Sequence, residues 1–175
     1  MSTYQLDPSH SSINFSVKHM MIAKVHGGFE KMSGVLSYDP KNPTATTVEV
    51  NIEVASINTR DTARDTHLKS AEFFDAEKYP SINYKSIRVQ EKKGDLTILG
   101  ELTIHGVTQP VTVELERPSE ERKDPWGNVK MGASGSAKVK RKDFGLTWNA
   151  ALEAGGLLVG DDVNITVDVQ FVKQV

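Results

Sequence analysis

What most constrains this chain is an alternation of apolar and polar residues with a period of two, repeated along most of its length. In an extended strand that period places successive side chains on opposite faces, so each run has one dry and one wet side. Ile13, Phe15 and Val17 alternate with Ser12, Asn14, Ser16 and Lys18, and Val48, Val50, Ile52 and Val54 alternate with Glu49, Asn51 and Glu53. Leu96, Ile98, Leu102 and Ile104 share a phase, as do Val111, Val113 and Leu115, then Val129, Met131, Ala133, Ala137 and Val139, and finally Val163, Ile165, Val167, Val169 and Phe171. The runs break at turn chemistry: Asp39-Pro40-Lys41-Asn42-Pro43, Lys93-Gly94-Asp95, His105-Gly106 and Asp124-Pro125-Trp126-Gly127-Asn128. About eight such strands with short connections predict an all-β fold, a single antiparallel barrel or, failing closure, a sandwich. Closure removes exposed edges, and a barrel of about eight strands encloses either its own side chains or one small ligand.

One stretch departs from the pattern. Residues 58 to 75 open with Asn58-Thr59, both good helix caps, and contain neither Gly nor Pro, so a short helix is expected there, near the barrel mouth. On it Arg60, Arg64, His67, Ala71 and Phe74 form one stripe, and Asp65 can pair with Lys69.

The remaining composition excludes more than it selects. A length of 175 residues suits one domain, residues 1 to 175. A net charge of −2 gives no field to gather nucleic acid. Even Lys138-Val139-Lys140-Arg141-Lys142 reads as a wet strand face with lysines pointing outward. With no cysteine, disulfides, thiolate nucleophiles and cysteine zinc sites are excluded, and no apolar run is long enough for a membrane span. The start, Met1-Ser2-Thr3-Tyr4, lacks the features of a secretory signal, so a cytoplasmic location is expected, or a periplasmic one if the chain is a processed mature form.

Several short motifs then occur in a characteristic order: Leu6-Asp7-Pro8-Ser9-His10-Ser11, Ile13 to His19, Gly28-Phe29, Thr59-Arg60-Asp61 through Arg64-Asp65-Thr66-His67-Leu68, Phe73-Phe74-Asp75, Tyr79-Pro80, Leu102 to Thr108, Arg141 to Leu146, and Gly160-Asp161. In these the chain resembles the YceI-like family over nearly its whole length. The resemblance implies an extended lipocalin-like barrel that binds a polyisoprenoid or related long-chain lipid, with no cofactor beyond that lipid and with room for a homodimer. Many members of the family are exported, and the absence of a signal here departs from that.

The ligand-binding candidates follow from phase and from this resemblance. His19 continues the inward phase of Phe15 and Val17, and Arg141 that of Ala137 and Val139, both at strand ends, so both are expected at the mouth. Each could meet a ligand's polar head: a guanidinium fits phosphate or carboxylate, the alternative being a backbone carbonyl or Asp143 as its acceptor. Arg60, Asp65, His67 and Leu68 on the expected helix are further candidates, against a merely solvated helix face. Phe29, Phe73, Phe74, Tyr84, Phe144 and Trp148 pack as core singly and line an apolar tunnel if taken together. Two rival readings stay open. One is a small hydrolase or isomerase pairing His19 or His67 with Asp65 as acid and base. The other is an interaction module whose barrel is filled by its own side chains. No catalytic motif or metal-ligand spacing supports the first.

Overall fold

The computed structural model describes residues 1–153 and 156–175. The alternating runs become pleated strands: β1 (Ser2–Leu6), β2 (Ser12–His19), β3 (Ala23–Phe29), β4 (Met32–Tyr38), β5 (Thr47–Glu53), β6 (Ile57–Asn58), β7 (Ser81–Lys92), β8 (Asp95–Ile104), β9 (Val107–Leu115), β10 (Arg122–Lys123), β11 (Val129–Lys140) and β12 (Val159–Lys173). Every pairing is antiparallel. Eight of them, in the order β11-β9-β8-β7-β5-β4-β1-β12, close into a barrel when β12 returns to β11. The expected all-β barrel of about eight strands is therefore the observed architecture.

The long β12 organises the wall. One of its edges pairs with β11 from Asp162↔Lys140 to Val172↔Lys130. Its other edge is shared, taking β2 between Val159 and Asp168 and β1 from Phe171 to Lys173. The β2–β3 hairpin thus lies beside β12 beyond the reach of β1, and β3 passes the wall on to β6. The seam between β9 and β11 is short, paired only at Gly135↔Leu115 and Ser136↔Glu114. Further along, Gln109 Nε2 donates to the Asp143 carbonyl and helps hold that seam.

Hairpin turns are where glycine matters. The β7–β8 turn places Lys93 and Gly94 at φ of 54° and 91°, and the β8–β9 turn places His105 and Gly106 at 55° and 72°. Two successive left-handed residues match the twist of the flanking strands, and glycine adopts that backbone without strain.

The helix is shorter than its sequence suggests. α1 covers Thr62–Lys69 rather than residues 58 to 75. Asp61 is its cap, accepting the Arg64 amide, while Arg60 sits left-handed at φ 64° with its amide turned back to the Asn58 side chain. Ser70 ends the helix by donating its hydroxyl and its amide to the His67 carbonyl. The residues after it wind into turns in which Phe74 bonds back to Leu68 and Ala76 to Lys69. Arg60, Ala71 and Phe74 therefore do not share a helical stripe with Arg64 and His67. Nor does Asp65 pair with Lys69, since its carboxylate is bound by the Thr59 amide and hydroxyl.

Inside the barrel the inward phases meet. Tyr4, Leu36, Ile52, Ile82, Leu102, Ile104, Met131, Val139, Phe144 and Phe171 form one buried cluster, and Val89, Leu96 and Ile98 a second. Gly100 stands in the inward phase of β8 because the Tyr84 ring lies on it: a Cβ there would come within 2.4 Å of that ring.

Candidate functional site

The inward faces do not fill the barrel. A partly open cavity of about 260 Å³ runs between them, from Leu68, Phe73 and Val159 at one end to Tyr38, Leu115 and Pro118 at the other. Only apolar atoms are presented to this space. Each strand of the ring except β1 supplies residues, and those from β5, β8, β9, β11 and β12 lie in the phase read from the sequence, among them Val50, Ile98, Val113, Ala133 and Val167.

Polar groups in the wall are consumed by the wall itself. The Tyr84 hydroxyl lies 3.1 Å from the Ile98 carbonyl and 3.0 Å from that of Val111, and burial pushes its pKa up to about 12. The Thr46 hydroxyl donates to the Pro43 carbonyl at 2.6 Å. Neither offers a free group to an occupant.

Arg141 reaches the cavity lining but acts as a staple. It is 5% exposed and donates Nε to the Gly160 carbonyl at 2.8 Å, Nη1 to the Leu146 and Trp148 carbonyls at 2.6 and 2.9 Å, and Nη2 to the Val159 carbonyl at 3.3 Å. Burial lowers the guanidinium pKa from its ordinary value, with the nearby Asp161 charge opposing. Five N–H groups in a fixed fork let one side chain tie the segment after β11 to the start of β12. Of the two acceptors considered from sequence, backbone carbonyls take it, and the expected head-group contact has one donor left to use.

Ten of the candidates border the cavity: Phe15, Val17, Phe29, Leu68, Phe73, Phe74, Tyr84, Ala137, Arg141 and Phe144. His19, Arg60, Asp65, His67 and Trp148 do not. His19 has the right phase, but it sits in the hairpin at the end of the cavity, opposite Ala23 and Val159, and is not part of the lining. Arg60 is exposed on its left-handed turn. His67 bonds to Glu72 and packs edge-on against Phe73 and Trp148, at ring separations of 5.0 and 4.8 Å, outside the cavity wall. Asp65 and Arg64 knot together around Thr59, which is 3% exposed, with Arg64 donating to its hydroxyl and carbonyl. Neither histidine hydrogen-bonds to Asp65 among the described residues, so the acid–base pair considered from sequence is not assembled. Among these residues no cluster of three or more His, Asp or Glu could hold a metal.

The lining also includes residues outside the candidate set. Val48, Leu96, Val163 and Val169 carry the correct phase and need only the inference that the barrel is hollow. Leu36 and Tyr38 are harder to read, because Gly34 interrupts the inward phase of β4 and exposed Val35 occupies the outer one.

Comparison with known proteins places this geometry. A YceI-like domain profile matches residues 4–171. The chain belongs to the YceI-like family. It is 35% identical over 173 residues to Protein YceI of Escherichia coli, covering 98% of this chain and 87% of that one. It is 40% identical over 139 residues to a UPF0312 protein of Vibrio cholerae, covering 79% and 73%. Among solved structures, the Campylobacter jejuni YCEI protein superposes with a TM-score of 0.73 at 30% identity, over 90% of each chain. A polyisoprenoid binding domain from Saccharophagus degradans shares the fold with a TM-score of 0.72 at 15% identity, covering 99% of this chain and 100% of that one. The barrel is thus common to this chain and the two solved structures, while sequence identity between them varies widely.

Proposed function

We propose that this YceI-like barrel binds one long apolar chain, of the polyisoprenoid class, along its interior, and so carries or sequesters it. The observation that carries the reading is a cavity along the barrel interior whose wall presents only apolar atoms. Such a wall rewards hydrocarbon and penalises any buried polar group it cannot pair. At about 0.8 kcal/mol per buried methylene, ten buried carbons contribute roughly 8 kcal/mol, the scale of a micromolar Kd before ordering costs. The polyisoprenoid binding domain from Saccharophagus degradans, built on the same fold, supports this class of ligand.

The polar end of such a lipid falls outside the apolar interior, because Arg141 is occupied by backbone carbonyls. Selection therefore acts on the tail more than on the head. Organic extracts of purified protein, read by mass spectrometry, together with uptake of a polyprenyl quinone, a polyprenyl phosphate and a plain hydrocarbon of similar length, test this. Comparable uptake of all three fits the reading. Empty extracts with no uptake of any would end it, and turnover of a bound lipid would return the acid–base alternative.

A further inference from the structure

The β2–β3 turn is built unlike its neighbours. Met20 and Met21 stand at φ of 53° and 60°, and the Ile22 amide bonds back to the His19 carbonyl at 3.2 Å. His19 pairs with Ala23, so three residues form the loop: Met20 and Met21 take the successive left-handed backbone that Asn-Gly adopts without strain, and Ile22 is an extra residue beyond them. The β7–β8 and β8–β9 turns place glycine second, whereas this one places methionine at both positions and accepts the strain.

The same turn holds apolar side chains in water. Ile22 is 84% exposed, Met21 59% and Met20 45%, and Leu157, at 43%, joins them from the segment before β12. The two segments form one knob: the Met20 amide donates to the Leu158 carbonyl at 2.7 Å, and Met21 packs against Gly156. It sits at the end of the barrel where Arg141 binds Val159 and Gly160.

On the hairpin itself the charge is of one sign. Residues 12 to 29 contain Lys18, Lys24, His19 and His26 and no carboxylate, in a chain whose net charge is −2. Lys18 and Lys24 are direct cross-strand partners, an arrangement that repels. Of the neighbouring carboxylates at the start of β12, Asp162 is held by Lys138 at 3.3 Å and Asp161 accepts the Lys142 amide; Glu153 lies in the adjoining loop. Strain, exposed hydrocarbon and like-charge repulsion therefore coincide on one hairpin. A surface with an apolar interior beneath an anionic layer relieves the last two.

We infer that the Met20-Met21-Ile22 turn docks this protein onto an anionic phospholipid bilayer, its apolar tip inserting among the acyl chains while Lys18 and Lys24 meet the headgroup charge. This goes beyond occupancy of the cavity and is measurable whether the barrel is empty or filled. The full chain is floated with vesicles of phosphatidylglycerol mixed with phosphatidylcholine, and separately with phosphatidylcholine alone. Binding is expected to the anionic vesicles only, and it should weaken as salt is raised. Ile22→Asp should lower it by about tenfold or more, and Lys18→Glu with Lys24→Glu by about fivefold per charge removed.

The decisive variant replaces the strained pair with the residues the turn prefers, Met20→Asn with Met21→Gly. It should melt higher than the wild type and yet bind vesicles less, which no loss of folding can imitate. Trp126→Ser, on the exposed β10–β11 turn, should leave binding unchanged. No flotation of the wild type with anionic vesicles, or wild-type flotation of the Asn-Gly variant, overturns the inference. So does a concentration-dependent dimer that Ile22→Asp abolishes without any vesicle binding, which would assign the knob to a second copy of this chain.

Discussion

Replacing Arg141 with leucine separates two roles that its strand phase cannot distinguish. The guanidinium donates to four carbonyls, and one of these, on Val159, is also served by the Asn149 side chain at 2.7 Å. Arg141→Leu therefore deprives the carbonyls of Gly160, Leu146 and Trp148 of this donor. An unpaired buried polar group costs about 1–3 kcal/mol, and local relaxation recovers part of the sum, so a loss of roughly 3–5 kcal/mol is expected. For a chain of this size each kcal/mol lowers Tm by roughly 2–4 °C, so thermal unfolding followed by circular dichroism should fall by roughly 6–20 °C. Arg141→Lys should recover only a small part, because an ammonium cannot span acceptors on both segments. Whatever affinity is lost should be lost equally for an anionic lipid and for a hydrocarbon of matched length. A variant that melts within about 2 °C of wild type, far short of that range, while losing only the anionic ligand, would refute the staple and make Arg141 a head-group contact.

Two further outcomes test the cavity and the barrel rim. Ala137→Trp places a large ring on the cavity wall and should abolish uptake of a long chain while the protein remains folded; retained uptake in a folded variant would show that the occupant lies elsewhere. The Asp7 carboxylate is drawn down to about 2 by hydrogen bonds from Ser9 first and His10 second. A depressed carboxylate stabilises the fold above its ordinary pKa of 3.8 and ceases to as pH falls through about 2. The melting temperatures of wild type and Asp7→Asn should thus differ at pH 5 and converge in that acid window, and a constant difference down to pH 2 would contradict the assignment.

The barrel is legible in the sequence because alternation reports which side of a strand a residue faces, and closure follows when many strands share one dry side. Phase does not report height along the strand. His19 and Phe15 have the same phase, yet Phe15 lines the cavity and His19, at the end of β2, does not. Nor does phase tell whether an inward cation meets a ligand or its own chain, and Arg141 is answered by carbonyls from residues 146 to 160, whose path no local pattern announces. The helix departs from its expected start because of side-chain chemistry close at hand. Asn58 and Thr59 are good caps in general, but Asn58 bonds the Arg60 amide and Thr59 is taken by Asp65, which leaves Asp61 to begin the helix.

The pairing of β12 with β1 also bears on how the chain finds its fold. Tyr4 lies opposite Lys173, and Leu6 opposite Phe171, so one side of the ring closes between segments at opposite ends of the sequence. The β4–β5, β7–β8 and β8–β9 hairpins are local and can assemble early, but the ring gains its last contacts only after a very long loop has been closed. Until then β1 and β12 face each other as open edges with hydrocarbon behind them, the condition in which β proteins aggregate. Folding of this barrel should accordingly be slow and limited by the docking of a single strand, and its yield on refolding should depend on protein concentration more steeply than its final stability suggests.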